Sequence, residues 1–498
     1  MDEVDLLVVG GGINGAGIAR DAAGRGLSVL LCEKDDLAQG TSSRSGKLVH
    51  GGLRYLEYYE FRLVREALIE REVLLRLAPH IIWPMRFVLP HVPEMRPRWL
   101  VRTGLFLYDH LGGRQRLPGT RTLDLRRDPE GAPLKADFGT AFEYSDCWVD
   151  DARLVVLNAL DAQQRGAEIL TRTAIVSARR DGDGWVAELD GEHPRTVRAR
   201  CLVNAAGPWV EDVLAHVAGV NSARRVRLVK GSHLVIRKFW DGPQAYLLQN
   251  TDKRVIFVNP YEGDLALIGT TDIPVEGRPE DAVCDKAETD YLLGVLARYF
   301  ETPPQQSDIV ATFSGVRPLY DDSAANPSAV TRDYVFDIDG GEGRAPLLSI
   351  FGGKITTYRK LAEHAMERLT PFFPKLKPAW TADGTLPGGD MPNADFDPWL
   401  ADLRKRHPWL PEPLAEHFGR LYGTRTDILL RDVTDLSGLG RHFGGLLYAG
   451  EAEFLRREEW ARTAEDILER RTKHYLHLTR DQKASFTRWF DGAAAAVT

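Results

Sequence analysis

Gly10, Gly12 and Gly15 are spaced as G-x-G-x-x-G between an apolar run, Leu6 to Val9, and a helical pattern from Ile13 to about Arg25. A second apolar run, Ser28 to Cys32, follows Gly26 and ends at Glu33. Residues of these types in this order suit the binding of a dinucleotide diphosphate. Gly10 allows a tight turn, Gly12 lets a pyrophosphate approach the backbone, and Gly15 lets helix and strand pack closely. The free amides and positive dipole end of the helix then face the diphosphate. Glu33 can accept hydrogen bonds from an adenosine ribose, and its charge repels a 2′-phosphate. A bare glycine triplet specifies little. Placed between two buried parallel strands, with the acid at this distance, it predicts a Rossmann-type nucleotide domain.

Further motifs follow. Gly10-Gly-Gly-Ile-Asn-Gly-Ala-Gly is joined by Thr41-Ser-Ser and by Lys47-Leu-Val-His-Gly-Gly-Leu-Arg-Tyr-Leu-Glu57. These runs resemble the flavin-dependent glycerol-3-phosphate dehydrogenases, within the wider D-amino-acid-oxidase and glycine-oxidase type of flavoprotein. The resemblance continues at Phe142-Glu-Tyr-Ser-Asp-Cys-Trp-Val-Asp-Asp-Ala-Arg153, Lys230-Gly-Ser-His233, Ile268-Gly-Thr-Thr-Asp272, Ser314-Gly-Val-Arg-Pro318, Thr331-Arg-Asp-Tyr334 and Phe351-Gly-Gly-Lys-Ile-Thr-Thr-Tyr358. It covers essentially the whole chain. The glycine motif shows only a dinucleotide; FAD, held non-covalently, is what the resemblance implies.

The resemblance also implies a small dianionic phosphate ester, glycerol 3-phosphate, oxidised at its secondary alcohol, with electrons passed to a membrane quinone. Such a substrate needs fixed cations. Arg54, Arg317, Arg332 and Lys354 stand beside glycines or strand ends, where a rigid backbone can aim them, and the arginine fork matches phosphate oxygens in pairs. Tyr55 joins this substrate set. The implied cofactor set is Gly10, Gly12, Asn14, Gly15, Glu33, Thr41, Ser42, Ser43, Lys47, Leu48, His50, Gly51, Gly207, Gly352, Gly353, Lys354, Ile355 and Thr356. Thr41, Ser42 and Ser43 either bond diphosphate or ribitol oxygens or cap a helix. Gly352-Gly353-Lys354 forms a second backbone nest, which the resemblance implies is directed toward the pyrimidine end of the flavin. A base must take the hydroxyl proton. His233 titrates in the useful range, His50 is its rival, and Arg317 could instead stabilise the alkoxide. No metal site is expected. The competing functions are a glycerophosphate oxidase and a non-catalytic or tRNA-modifying FAD protein.

These residues need a scaffold of more than one domain, which 498 residues provide. The glycine-broken segments predict an α/β nucleotide domain assembled from 1–83, 140–228 and 310–375. It is interleaved with a mostly antiparallel substrate-binding sheet from 84–139 and 229–309. Phe313 to Pro318 reads as strand, glycine, helix. A Pro/Gly/Asp-rich linker spans 376–398, and a helical domain spans 399–498. Residues 84–136 give no periodic pattern. Within them Arg96-Pro-Arg-Trp-Leu-Val-Arg-Thr-Gly-Leu-Phe-Leu-Tyr108 is basic and aromatic. By composition it fits a helix on a membrane surface and one in a core or homodimer interface equally; the resemblance favours the bilayer or dimer surface. The 64 Lys and Arg against 71 Asp and Glu leave a net charge of −7, with no general attraction for nucleic acid. No apolar run approaches the roughly 20 residues of a membrane span, and the N-terminus lacks signal-peptide features. Cys32, Cys147, Cys201 and Cys284 lie far apart, which fits a reducing compartment. The expected location is the cytoplasmic face of the cell membrane.

Overall fold

The first strand, Asp2–Val9, is buried along its carboxyl half and pairs in parallel with Val29–Cys32 on one side and Arg195–Asn204 on the other. A computed structural model gives the rest of the architecture, for residues 2–222, 224–321, 333–341 and 343–495. Arg344–Phe351 and Glu168–Leu170 extend the parallel set at its two ends. Val335–Gly341 and the hairpin of Thr173–Asp181 with Gly184–Gly191 add antiparallel strands. A parallel sheet must be covered on both faces. Helices Ile13–Gly24, Asp151–Gln164 and Tyr358–Leu369 cover one, burying Ile18, Val155 and Leu361. Trp185, Leu202 and Val210 form the core on the other.

The second sheet has ten strands and lies across from the carboxyl edge of the first. Its central order is Val226–Arg237, Leu265–Gly269, Val255–Tyr261, Ala245–Gln249, Ile82–Pro90 and Thr140–Val149. All of these pairings are antiparallel except that of Ala245–Gln249 with Ile82–Pro90. Helix Lys286–Tyr299 closes the outer face, packing Leu292 and Leu296 on Leu234, Ile256 and Ile268. The α/β class with an interleaved antiparallel sheet is thus observed.

The two sheets exchange segments outside the boundaries expected from the sequence. Thr140–Val149 and Ile309–Tyr320 belong to the second sheet, not to the nucleotide domain. Ile309–Tyr320 is a single strand with no helix after its glycine. Gly315 is there because the Arg44 backbone crosses it: a Cβ would lie 2.7 Å from the Arg44 carbonyl oxygen. The unassigned stretch holds the strand Ile82–Pro90 and the helix Arg98–Leu111. Pro84 and Pro90 sit within that strand, where proline masks the strand signature. The Pro/Gly-rich segment is firmly attached: Trp380 Nε1 donates to the Asp21 carbonyl, and its ring carries the guanidinium groups of Arg20 and Arg165. Beyond it, helices Phe396–Arg406, Glu412–Tyr422, Ala449–Glu458 and Arg480–Ala495 build the helical domain, with one small hairpin.

Candidate active site

One cavity of about 1280 Å³ runs between the two sheets. At one end lies the first glycine turn. Gly15 packs so closely that a Cβ would lie 1.9 Å from the Gly10 carbonyl oxygen, and this contact seats helix Ile13–Gly24 against its strand. Glu33 is half-buried beside the turn, with Oε2 accepting from the Gly11 amide (2.6 Å) and Oε1 from the Asp35 amide (2.9 Å). Burial raises its pKa above the ordinary carboxylate value. The Ser42 hydroxyl accepts from the Ile13 amide (3.0 Å), so Ser42 caps the helix, and Thr41 Oγ1 donates to the Val316 carbonyl (2.6 Å). At the second turn Gly352 and Gly353 have φ of +81° and +107°. Asn14 Nδ2 donates to the Gly352 carbonyl (3.2 Å) and joins the two turns, while its Oδ1 is buried without a partner among the described residues. A long cavity with a glycine turn and helix amides at one end and a second glycine nest along it fits an extended dinucleotide.

Most of the expected cofactor residues line this cavity: Gly10, Gly12, Asn14, Glu33, Thr41, Ser42, Leu48, His50, Gly207, Gly352, Gly353, Lys354, Ile355 and Thr356. Gly15, Ser43, Lys47 and Gly51 do not. Lys47 is 3% exposed and turned away, its Nζ donating to Asp151 Oδ1 (2.6 Å) and the Ser43 carbonyl (3.1 Å). Gly51 gives its amide to Asp146 and backs onto Leu68 and Tyr108. The Thr356 hydroxyl accepts from the His50 amide (3.2 Å).

The substrate candidates line the same cavity. His233 and Arg317 lie on adjacent strands, opposite Phe313 and Val229 respectively. Arg317 Nη2 donates to Asp272 Oδ1 (2.5 Å) and the Thr271 carbonyl (2.9 Å), which orients the guanidinium. Lys354 Nζ sits 4.2 Å over the Tyr55 ring, and Arg54 and Tyr55 line the same cavity from the 3₁₀ turn Leu53–Tyr58. Arg332 lies outside the described residues. Asp272 and Thr270, which borders the cavity, were not singled out from the sequence; their signal was the Gly-Thr-Thr-Asp run at a strand end. His50 lines the cavity edge-on to Phe257.

His233 departs from expectation. Its ring is 4% exposed and stacks on Phe313, with centroids 4.8 Å apart. Gly269 must be glycine because a Cβ would lie 2.1 Å from His233 Cδ2. Burial, with smaller contributions from the Lys47 and Arg317 charges, pushes the His233 pKa down to about 3. The ring is therefore neutral throughout the physiological range, rather than poised near 6.5 as its residue type suggests.

A nucleotide turn facing an antiparallel sheet across one cavity defines a class, the two-domain nucleotide-dependent oxidoreductases. The model of the family described as FAD dependent oxidoreductase matches residues 5–359, and the chain belongs to that family, with FAD as its cofactor. The chain is 65% identical to D-erythritol 1-phosphate dehydrogenase of Brucella abortus (strain 2308), over 98% of each chain. It is 51% identical to aerobic glycerol-3-phosphate dehydrogenase of Escherichia coli (strain K12), over 98% of this chain and 97% of that one. The crystal structure of glycerol-3-phosphate dehydrogenase from Bacillus halodurans complexed with FAD superposes with a TM-score of 0.74 at 26% identity, over 98% of this chain and 94% of that one. The resemblance drawn from the motifs is borne out.

A depressed His233 pKa has a direct kinetic consequence. The ring can accept a proton only while neutral, and acidification from about pH 7 to pH 5 leaves it neutral. In anaerobic stopped-flow reduction of the flavin, kred/Kd should thus show between pH 5 and 7 only the second ionisation of the substrate phosphate, near about 6, and no further inflection from His233, while His233→Gln should slow reduction by about 10²–10⁴-fold with flavin content unchanged. Near-normal reduction by the Gln variant would place the base elsewhere.

Proposed function

We propose that this chain oxidises the secondary alcohol next to a phosphomethyl group in a short alditol phosphate. The observation that carries this reading is that Arg317, Lys354 and Arg54 line one cavity that also presents a buried, neutral histidine. Three cations lining one cavity call for a dianion, and a neutral imidazole in the same cavity calls for a proton donor such as a hydroxyl. Arg317, oriented by Asp272, and Lys354, seated over Tyr55, bind the phosphate and fix the adjacent carbinol. His233 then takes the hydroxyl proton. A bound dianion offsets the field of Arg317 and raises the affinity of His233 for that proton. FAD, when bound, supplies the acceptor for the hydride from the carbinol carbon. Gly10, Gly12 and the helix amides hold its diphosphate, Glu33 its ribose, and the Gly352–Lys354 nest its ring, without a covalent link.

Within this class D-erythritol 1-phosphate is the preferred substrate, because the relative with that activity shares 65% identity against 51% for the Escherichia coli glycerol-3-phosphate dehydrogenase. Glycerol 3-phosphate, which has the same phosphomethyl carbinol, is the second reading, supported by that relative and by the FAD-bound structure. The electron acceptor is a membrane quinone, reached at the cytoplasmic face. Trp99 (70% exposed), Phe106 (54%) and Tyr59 (74%) are apolar and exposed on segments that border the cavity mouth, as a peripheral membrane contact requires.

Anaerobic titration of the oxidised holoenzyme separates the substrates. D-erythritol 1-phosphate should bleach the flavin band with kred/Kd about tenfold above that of glycerol 3-phosphate, and erythritol and glycerol should not bleach it. The reverse ratio selects the second reading, and equal bleaching by the unphosphorylated polyols refutes the phosphate site. Arg317→Ala should weaken phosphate-ester binding by about 1.5–3 kcal/mol, and Arg317→Lys should recover only part. For the membrane contact, Trp99→Ser with Phe106→Ser should lower co-sedimentation with lipid vesicles and quinone reduction while flavin reduction in solution persists. Undiminished co-sedimentation would assign the patch another role.

A further inference from the structure

The helical domain lies wholly beyond residue 359, where the match to the family ends, and the proposed chemistry does not use it. Its buried charges nevertheless reach the cofactor turn. Arg470 and Arg471, at the end of Asp466–Arg471, are 5% and 0% exposed, and both donate to one carboxylate, that of Asp36, which is itself 0% exposed. Arg470 Nε donates to Asp36 Oδ2 at 2.7 Å, and Arg471 donates to Oδ2 and Oδ1 at 2.8 Å each. Arg470 also pairs with Asp466, which accepts from Arg172, and the Arg172 amide donates to the Asp35 carbonyl. The segment around Asp35 and Asp36 is thus held from two sides.

That segment folds directly onto the glycine turn. The Ala38 amide donates to the Gly11 carbonyl (3.1 Å), Leu37 is in close contact with Gly11, and Glu33 accepts from the Gly11 amide. Lys34, Asp35, Ala38 and Gln39 line the cavity beside the turn. A second buried pair, Arg153 with Glu459, joins the same two domains; it meets the first at the Glu459 backbone carbonyl, which accepts from Arg471, and its side chains bond none of residues 33–39. The interface therefore contains a charge cluster aimed at the cofactor segment, beside the pairs Arg153 with Glu459 and Lys473 with Asp150, whose side chains fasten the domains.

We propose that Arg470 and Arg471 are positioning residues for FAD. By fixing Asp36 they hold residues 33–39 against the diphosphate turn, so that the helical domain controls cofactor retention. Without the two guanidinium groups, Asp36 would be a buried charge without compensation, and the segment would have to move to hydrate it. None of the three lines the cavity, so the effect appears in affinity and release rather than in the flavin's own environment.

The test compares FAD affinity with fold stability. Apoprotein of Asp36→Asn, Arg471→Gln and Glu459→Gln is titrated with FAD by flavin fluorescence quenching, and melting temperature is recorded on the same apoprotein. Asp36→Asn and Arg471→Gln should each raise the FAD Kd about tenfold or more. Combined, they should raise it no further than the worse single variant, because both act through one contact. Glu459→Gln should lower the melting temperature with the FAD Kd unchanged. Arg471→Lys keeps the charge without the fork; it should fall between wild type and Arg471→Gln, and it carries the comparison if Arg471→Gln does not fold. Unchanged FAD affinity in Asp36→Asn and Arg471→Lys, with melting temperatures lowered as in Glu459→Gln, would reduce the cluster to domain attachment and overturn the proposal.

Discussion

The close contact of Gly15 with the Gly10 carbonyl is the constraint on which the rest of the molecule depends. It brings helix and strand nearer than any side chain allows, and so leaves a turn whose amides open into the cavity. Distant segments are then fastened to that turn by single hydrogen bonds: Glu33 and Ala38 to Gly11, Ser42 to Ile13, and Asn14 to Gly352. Each bond satisfies a group that the tight turn would otherwise leave unpaired. Strand ends, the polar loop after Glu33 and the second glycine nest converge because the first turn has donors and acceptors to satisfy.

Across the cavity a different balance operates. The second sheet buries His233 on Phe313 and Gly269, and desolvation outweighs any advantage of a charged ring. Arg317 keeps its charge on the same wall by leaning on Asp272 and a backbone carbonyl, and remains a quarter exposed. A neutral acceptor and an oriented cation can therefore stand near each other without mutual proton exchange. The helical domain is attached by buried ion pairs such as Arg153 with Glu459 and Arg471 with Asp36, an arrangement in which removing one partner costs far more than the pair contributes.

Much of this was legible in the residues. The glycine triplet, Glu33 and the second nest are local patterns, and local patterns are what a sequence displays. Lys354 follows directly on the second nest, whereas Arg317 lies on a strand and takes its orientation from Asp272 and the Thr271 carbonyl, 45 and 46 residues earlier. What could not be read depends on partners far along the chain. Lys47 resembles a cofactor cation until Asp151, 104 residues away, takes its charge. Ile309–Tyr320 resembles a strand-to-helix turn until the Arg44 backbone explains its glycine. Asp36 is one acid among many until Arg470 and Arg471 meet it, and His233 has an ordinary pKa until the sheet closes over it.

The central claim is that fixed cations select a phosphate dianion and present its neighbouring carbinol to His233. A crystal structure of the holoenzyme with 2-hydroxyethyl phosphate, which has the phosphomethyl end but no secondary carbinol, tests it most directly. Phosphate oxygens are expected within hydrogen-bond distance of the Arg317 guanidinium and Lys354 Nζ, with the organic end directed toward His233. A phosphate bound elsewhere in the cavity, touching neither Arg317 nor Lys354, would contradict it.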